Sequence, residues 1–129
     1  MNERGSASLA LLGVTALVMV LAVGLVAVGS VMRARIEAST AADAAALAAA
    51  PVTFLPFGAK GTPTEEAARF ASLNGARLLS CICPLDESWE ARTIEVRTER
   101  MVEIWPLGEF AVEAVGRAEF VPALLLLGE

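Results

Sequence analysis

The chain has 129 residues and a formal net charge of −5, with ten Lys plus Arg against fifteen Asp plus Glu and no histidine or tyrosine. The acidic balance leaves no basic stripe to meet phosphates, which argues against nucleic-acid binding. Without histidine the chain lacks the commonest general base and the commonest metal ligand.

The first element is an uncharged run, Gly5 to Met32. At about 1.5 Å rise per residue its helix is roughly 42 Å long, against a hydrocarbon core of about 30 Å. A removable secretory h-region is about 7–15 residues, so this run reads as an uncleaved anchor, although Ala27-Val28-Gly29-Ser30 offers small residues where a signal peptidase cuts. A buried core helix is the poorer reading, because the rest of so short a chain could not cover it. Small residues recur along the anchor: Gly13, Ala16, Val20, Gly24 and Ala27 fall near helical spacing, a stripe that would let another membrane helix approach closely. The same stripe is also what an alanine-rich membrane helix shows by composition alone. Alanine and valine richness with Arg over Lys reads as a high-G+C bacterial coding bias. Arg4 and the amino terminus flank one end of the run, Arg33 and Arg35 the other, and the positive-inside rule by itself leans slightly toward a cytoplasmic carboxyl domain.

Residues 33–50 should continue the helix as an alanine-rich stalk, since alanine is the best helix former and nothing breaks it before Pro51. Asp43 is the one charge in the alanine block. It reads as a solvated residue or as a polar contact between packed helices, with Ser39 one turn earlier able to share a hydrogen bond. Leu47, one turn on, is the block's large apolar residue and joins Asp43 as a helix-packing candidate.

Residues 51–62 read as a linker, punctuated by Pro51, Pro56, Gly58 and Gly61, with Phe54, Leu55 and Phe57 apolar enough to tuck under a domain. Residues 63–129 form that domain. Thr62, Pro63 and Glu65 make a capping box with proline at the first helical position. Asn74-Gly75 stops the helix, so a helix is predicted over Pro63–Leu73 with Ala67, Phe70, Ala71 and Leu73 on its apolar face. Strands follow at Arg77–Cys83, Ala91–Trp105 and Glu109–Glu119, separated by turns at Pro84–Ser88 and Pro106–Gly108. In the second strand Ile94, Val96, Val102 and Ile104 point one way and Glu95, Arg97, Glu99 and Glu103 the other. Thr98 and Arg100 interrupt the inner face, which predicts a bulge or twist there. In the third, Phe110, Val112 and Ala114 face inward. This alternation predicts an α+β domain: a three-stranded antiparallel sheet with one face covered by the Pro63–Leu73 helix. The tail, Val121 to Leu127, either packs under the sheet or is a sticky end for a partner or lipid.

Cys81 and Cys83 form a C-x-C pair, a poor disulfide candidate on geometry because only one residue separates them. With no further soft ligands it cannot complete a metal site. Buried small hydrophobes, a redox or lipidated pair, and an intermolecular disulfide all remain open. Asp86, Glu87 and Glu90 cluster in a turn; a calcium site would need more oxygens at fixed spacing. There is no phosphate loop and no nucleophile elbow, so no catalytic residue, cofactor, metal or small-molecule substrate is expected.

Arg4-Gly5-Ser6 before an apolar helix, Asp43-Ala44-Ala45-Ala46-Leu47-Ala48-Ala49-Ala50 after it, and Asn74-Gly75-Ala76-Arg77-Leu78 leading toward a cysteine together resemble the TadE/TadG-like proteins. These are minor pilin-like (pseudopilin) components of tight-adherence Flp pilus systems, and the chain is most similar to the short TadE-like type found beside secretion genes. The resemblance implies a pilin-like α+β architecture in a single-pass protein of the cytoplasmic membrane, with its amino terminus in the cytoplasm and its domain outside, opposite to the charge argument. It also implies other pilin-like subunits and pilus or secretion platform proteins as partners. Prepilin-type processing would cut between Gly5 and Ser6. Ala10 would then stand fifth, where pilins of the type IV class carry a glutamate, which favours a minor or membrane-retained role over a major filament subunit. The alternative is a single-pass envelope-complex or signalling subunit that displays a small binding domain.

Overall fold

A computed structural model describes residues 3–58 and 60–127. Met1, Asn2, Gly128 and Glu129, the outer ends of the expected segments 1–32 and 63–129, lie outside the described residues, as does the side chain of Arg4 that entered the charge argument. The first element is a single helix of 50 residues, α1 (Glu3–Val52), about 75 Å long at 1.5 Å per residue. It carries anchor and stalk without interruption and ends at the residue after Pro51. Thr53 closes the end, its hydroxyl donating to Ala50 O at 2.6 Å.

The second helix, α2 (Pro63–Leu73), begins and ends on the predicted devices. Glu65 N–H donates to Thr62 Oγ1 at 3.2 Å, and Thr62 N–H donates to Glu65 Oε2 at 2.8 Å, completing the capping box. At the other end Gly75 takes φ +73°. Its N–H bonds to Ser72 O and that of Ala76 to Ala71 O, both at 3.0 Å, the paired bonds of a Schellman stop. Ala67 and Ala71 are buried, but Leu73, expected on the apolar face, is 69% exposed, because two residues on from Ala71 the helix has turned it to the other side.

Three strands follow, β1 (Arg77–Ile82), β2 (Arg92–Ile104) and β3 (Gly108–Phe120), in an antiparallel meander of order β1-β2-β3. The architecture is α+β, as read. The β2–β3 register runs unbroken from Arg92↔Phe120 to Ile104↔Gly108, so β2 carries no bulge at Thr98 or Arg100. The irregularity lies at the same level on the neighbouring strand, between Leu78 and Ser80.

The sheet is covered chiefly by the second half of α1, while α2 packs beside it against α1 and β1. This departs from the expectation that α2 would cover the sheet, and the reason is size. Ala38, Ala41, Ala42, Ala45, Ala46 and Ala49 are fully buried, making a flat helix face with side chains short enough for a sheet to approach. On β3, Gly116 answers them. A Cβ built there would lie 2.6 Å from Asp43 N and closer still to the backbone of Ala42, so helix and strand touch main chain to main chain. Ile94, Val96 and Ala118 complete this core.

The two polar residues of the inner face of β2 are accommodated by α1. Thr98 is fully buried and donates to Ala38 O at 3.1 Å. Arg100 extends to the edge, donating to Gly75 O at 2.9 Å and pairing with Glu37 of α1 at 3.0 Å, so one guanidinium ties together β2, α1 and the end of α2.

Candidate functional site

The candidate site of this molecule is the surface of α1. From Gly5 to Val26 every residue of the helix is exposed. Leu9, Leu11, Leu12, Leu17, Val20 and Leu25 each keep more than half of their surface free. Gly5–Val52 includes a stretch long and apolar enough to cross a membrane by length and composition. Below the domain, α1 therefore presents a bare apolar rod, and from Ala27 upward the domain encloses one side of it.

The predicted packing residues divide between two faces. Counted at 3.6 residues per turn, Gly13, Ala16, Val20, Gly24 and Ala27 lie on the same side of the helix as Ala34, Ala38 and Ala45. The small-residue stripe of the anchor is thus collinear with the face that holds the domain. Gly13 and Gly24 have open space around them, and Ala27 lines a groove under the β2–β3 hairpin. Asp43 and Leu47 lie on the opposite side, both exposed, with Ile36 and Thr40 completing a strip at 4-3-4 spacing. Among the described residues Asp43 does not bond to Ser39, and its carboxylate stands on the outward surface. The structure therefore does not bring the anchor stripe and the Asp43–Leu47 pair together; they face opposite ways. Gly5 and Ser6, the candidate processing site, sit in the first turns of α1, exposed.

At the base of the domain, Glu37 accepts from Arg33 at 2.9 Å and faces Arg100. The Arg33 hydrogen bond, with the charge of Arg100 behind it, holds the Glu37 carboxyl below its ordinary range. At the far end, Arg92 is buried and clamps the end of α1 to the loop before β2. Its Nη1 donates to Thr53 O at 3.2 Å and Asp86 O at 3.0 Å, its Nη2 donates to Ser88 O, and its guanidinium lies 5.8 Å from the Phe54 ring centroid. Phe54 is buried there with Trp89 against its edge at 4.9 Å. Sequence reasoning missed this clamp, although an arginine opening an alternating strand on its inward-facing parity was the available signal.

The acidic turn resolves as a backbone device. Asp86 accepts from Ser88 N at 2.9 Å and Ser88 Oγ at 2.6 Å, and these bonds hold its carboxyl below the ordinary value. Cys81 and Cys83 are joined by a disulfide. The geometric objection fails because the chain leaves the sheet after Ile82, which brings the two Cα atoms to 5.4 Å, inside the span a disulfide bridges. The tail forms a 3₁₀ turn, Pro122–Leu126, in which Pro122 is buried while Leu124, Leu125, Leu126 and Leu127 are exposed.

A rod of this shape, apolar and bare below, alanine-faced and clad above, can be set against known families. Residues 5–52 match the Tad family model, "Putative Flp pilus-assembly TadE/G-like". The matched segment coincides with α1 to within two residues at its start. The likeness to the Tad family thus rests on the helix, and residues 53–129 lie outside the match. No curated protein and no solved structure matches the chain.

Proposed function

We propose that the chain is a membrane-anchored, pilin-like component of a Tad/Flp-type pilus or a related type II/IV-like secretion assembly, acting through helix packing and subunit contacts. The single observation that carries this reading is α1 itself. One unbroken helix is apolar and uncovered for its first half and serves as the spine of a small α+β domain for its second. The Tad match falls on that same helix. The outward strip of Ile36, Thr40, Asp43 and Leu47 offers a neighbouring subunit's helix two apolar side chains with a carboxylate between them. The small-residue stripe of the anchor serves close helix approach within the bilayer.

The proposed topology places the amino terminus in the cytoplasm and the domain outside the cytoplasmic membrane. The bonded Cys81–Cys83 pair supports that side, because disulfides persist in oxidising compartments. Alanine at the fifth position after a cut at Gly5–Ser6 supports a minor or membrane-retained role. The deciding experiment is intact mass and terminal-peptide mapping of the protein from native membranes, with protease accessibility measured on spheroplasts. A start at Ser6 makes pilus incorporation the role. A start at Met1 or Asn2 makes the protein a retained assembly factor. Protection of the whole domain in intact spheroplasts would overturn the topology. Co-purification with envelope proteins other than pilus or secretion machinery would overturn the assignment and favour a subunit of another envelope complex.

A further inference from the structure

The β2–β3 hairpin does not stop at the foot of the domain. It descends alongside α1 past Arg35, Arg33 and Met32 into the uncharged run. Trp105, at its tip, lines a groove with Glu103 and Ile104 of the hairpin and Ala22, Val23, Val26 and Ser30 of α1. Ile104, Leu107 and Phe110 lie across a second, almost wholly apolar groove from Ala27, Val28, Val31 and Met32. The tip is the part of the domain nearest the anchor, and it is apolar on its outside. Trp105 is 82% exposed and Leu107 65%, with Phe110 nearly half exposed behind them. From Ile104 to Gly108 there is no charge.

The length of the anchor gives this placement a meaning. Gly5–Met32 exceeds a hydrocarbon core by about 12 Å, or about eight residues. If the core begins at Gly5 it ends near Leu25, the level at which Trp105 lies against the helix. We propose that the hairpin tip, Trp105-Pro106-Leu107 with Phe110 behind it, is a second membrane contact, seated in the headgroup–acyl boundary of the bilayer that α1 crosses. The inference rests on the reading of α1 as a membrane anchor.

Each part of the tip suits that layer. Tryptophan favours the boundary because its ring is apolar and its indole N–H finds polar partners there. Arg33 and Arg35 stand above it at the height of the phosphates, where long basic side chains settle. Glu103 and Glu109 face each other across the hairpin directly above the tip. Their carboxylates limit insertion to the uncharged turn, so the tip rests in the interface without entering the core. The last apolar turns of α1, too long for the hydrocarbon, are the ones the hairpin covers. With two points of contact, helix and tip, the domain leans on the membrane at a fixed tilt rather than swivelling on a stalk.

The test uses the full chain in phosphatidylcholine vesicles, with lipids brominated at shallow or deep positions of the acyl chain as quenchers. Trp89→Phe leaves Trp105 as the only tryptophan. Its emission should be blue-shifted, quenched most by the shallow bromines and poorly by acrylamide in the water. A chain with Trp89→Phe, Trp105→Phe and Leu17→Trp reports on α1 alone and should be quenched most by the deep bromines. If the Leu17→Trp probe is quenched and Trp105 is quenched only by acrylamide, the anchor stands and the tip lies in water, which overturns the proposal. If neither responds to bromine, the anchor reading itself fails. If Trp105 is shielded from both bromine and acrylamide, the tip is buried against another copy of the protein, and the lipid contact is again overturned. Should Trp89→Phe not fold, the comparison runs between the native chain and Trp105→Phe. Trp89 sits at the opposite end of the domain, so bromine quenching should be present in the first and lost in the second; equal quenching in both would refute the contact.

Discussion

Gly116→Ala is the most direct perturbation of the way this molecule is held together. Gly116 is buried mid-strand, and its missing side chain is where α1 passes. The added Cβ would lie 2.6 Å from Asp43 N and against the carbonyl of Ala42. Non-bonded heavy atoms settle at about 3.5–4.0 Å, so strand and helix must part by about 1 Å. Both colliding groups are main chain, and no rotamer change relieves the contact. Overpacking costs about 1–3 kcal/mol, and a backbone collision belongs at the upper end. At about 4–8 °C per kcal/mol for a domain of this size, the melting temperature should fall by about 12–24 °C. The measurement is thermal melting of the full chain in detergent, followed by near-ultraviolet circular dichroism and Trp89 fluorescence. Gly29→Ala is the control, because its Cβ meets nothing within 4 Å and helix propensity alone should leave it neutral or slightly stabilised. A change of under about 4 °C for Gly116→Ala would refute the main-chain contact and, with it, the account of why the stalk is alanine.

Arg92→Met should destabilise the domain by about 2 kcal/mol, since hydrogen bonds from a charged group are worth about 1.5–3 kcal/mol and the removed guanidinium reaches three carbonyls; urea unfolding followed by Trp89 fluorescence reads the loss. Thr62→Ala removes the acceptor of the capping box and should cost about 1 kcal/mol, visible as faster hydrogen exchange in the first turn of α2 with the rest of the domain unchanged. Acid should loosen the base of the domain. The Glu37 carboxyl is held below its ordinary 4.5, so its contribution is full above that value and is lost as pH falls through the lower folded value. Asp86 follows the same sign from its ordinary 3.8. Both groups are well solvated, so the effect should be small and weaker in salt. A melting curve flat from neutral pH to below 4.5 at low ionic strength would count against the Glu37–Arg33–Arg100 arrangement.

What could be read from the sequence was what is decided locally. The capping box at Thr62, the stop at Asn74-Gly75 and the strands on either side of Pro106-Leu107-Gly108 are set by neighbours a few residues away, and they fall within a residue or two of their predicted ends. What was not legible was the destination of the alanine block. Alanine carries little hydrophobic contrast, so an alanine face gives no amphipathic pattern to show which side is buried. The signal lay elsewhere, in Gly116. A glycine inside a strand marks a close backbone approach, and the only surface flat enough to meet it is a run of alanines. Thr98 and Arg100 misled for a related reason. They look like breaks in an apolar face, but Thr98 reaches a helix carbonyl and Arg100 reaches past the helix edge.

The burial of the alanine face changes how assembly must be argued. A free alanine stalk would offer every side to a partner, and Asp43 would be one polar spot in a uniform surface. With Ala38, Ala42, Ala45 and Ala49 buried, only the opposite side of α1 remains open along the domain. That side carries Ile36, Thr40, Asp43 and Leu47. Below the domain α1 is exposed from Gly5 to Val26, yet its small-residue stripe points beneath the domain while the outward strip points away from it. A neighbour packed along the outward strip would therefore meet the large side chains of the anchor lower down, and a neighbour on the small stripe would pass under the hairpin. One straight partner helix cannot use both, so an assembly that engages both faces needs two neighbours per subunit. Charge reversal at Asp43 should then disturb one of these contacts and spare the other, whereas Gly24→Leu should do the reverse. Crosslinking through cysteines placed at Leu47 and at Ala16 would report the two separately. Simultaneous loss of both crosslinks in either variant would mean that a single interface runs the length of the helix and that the division into two faces is wrong.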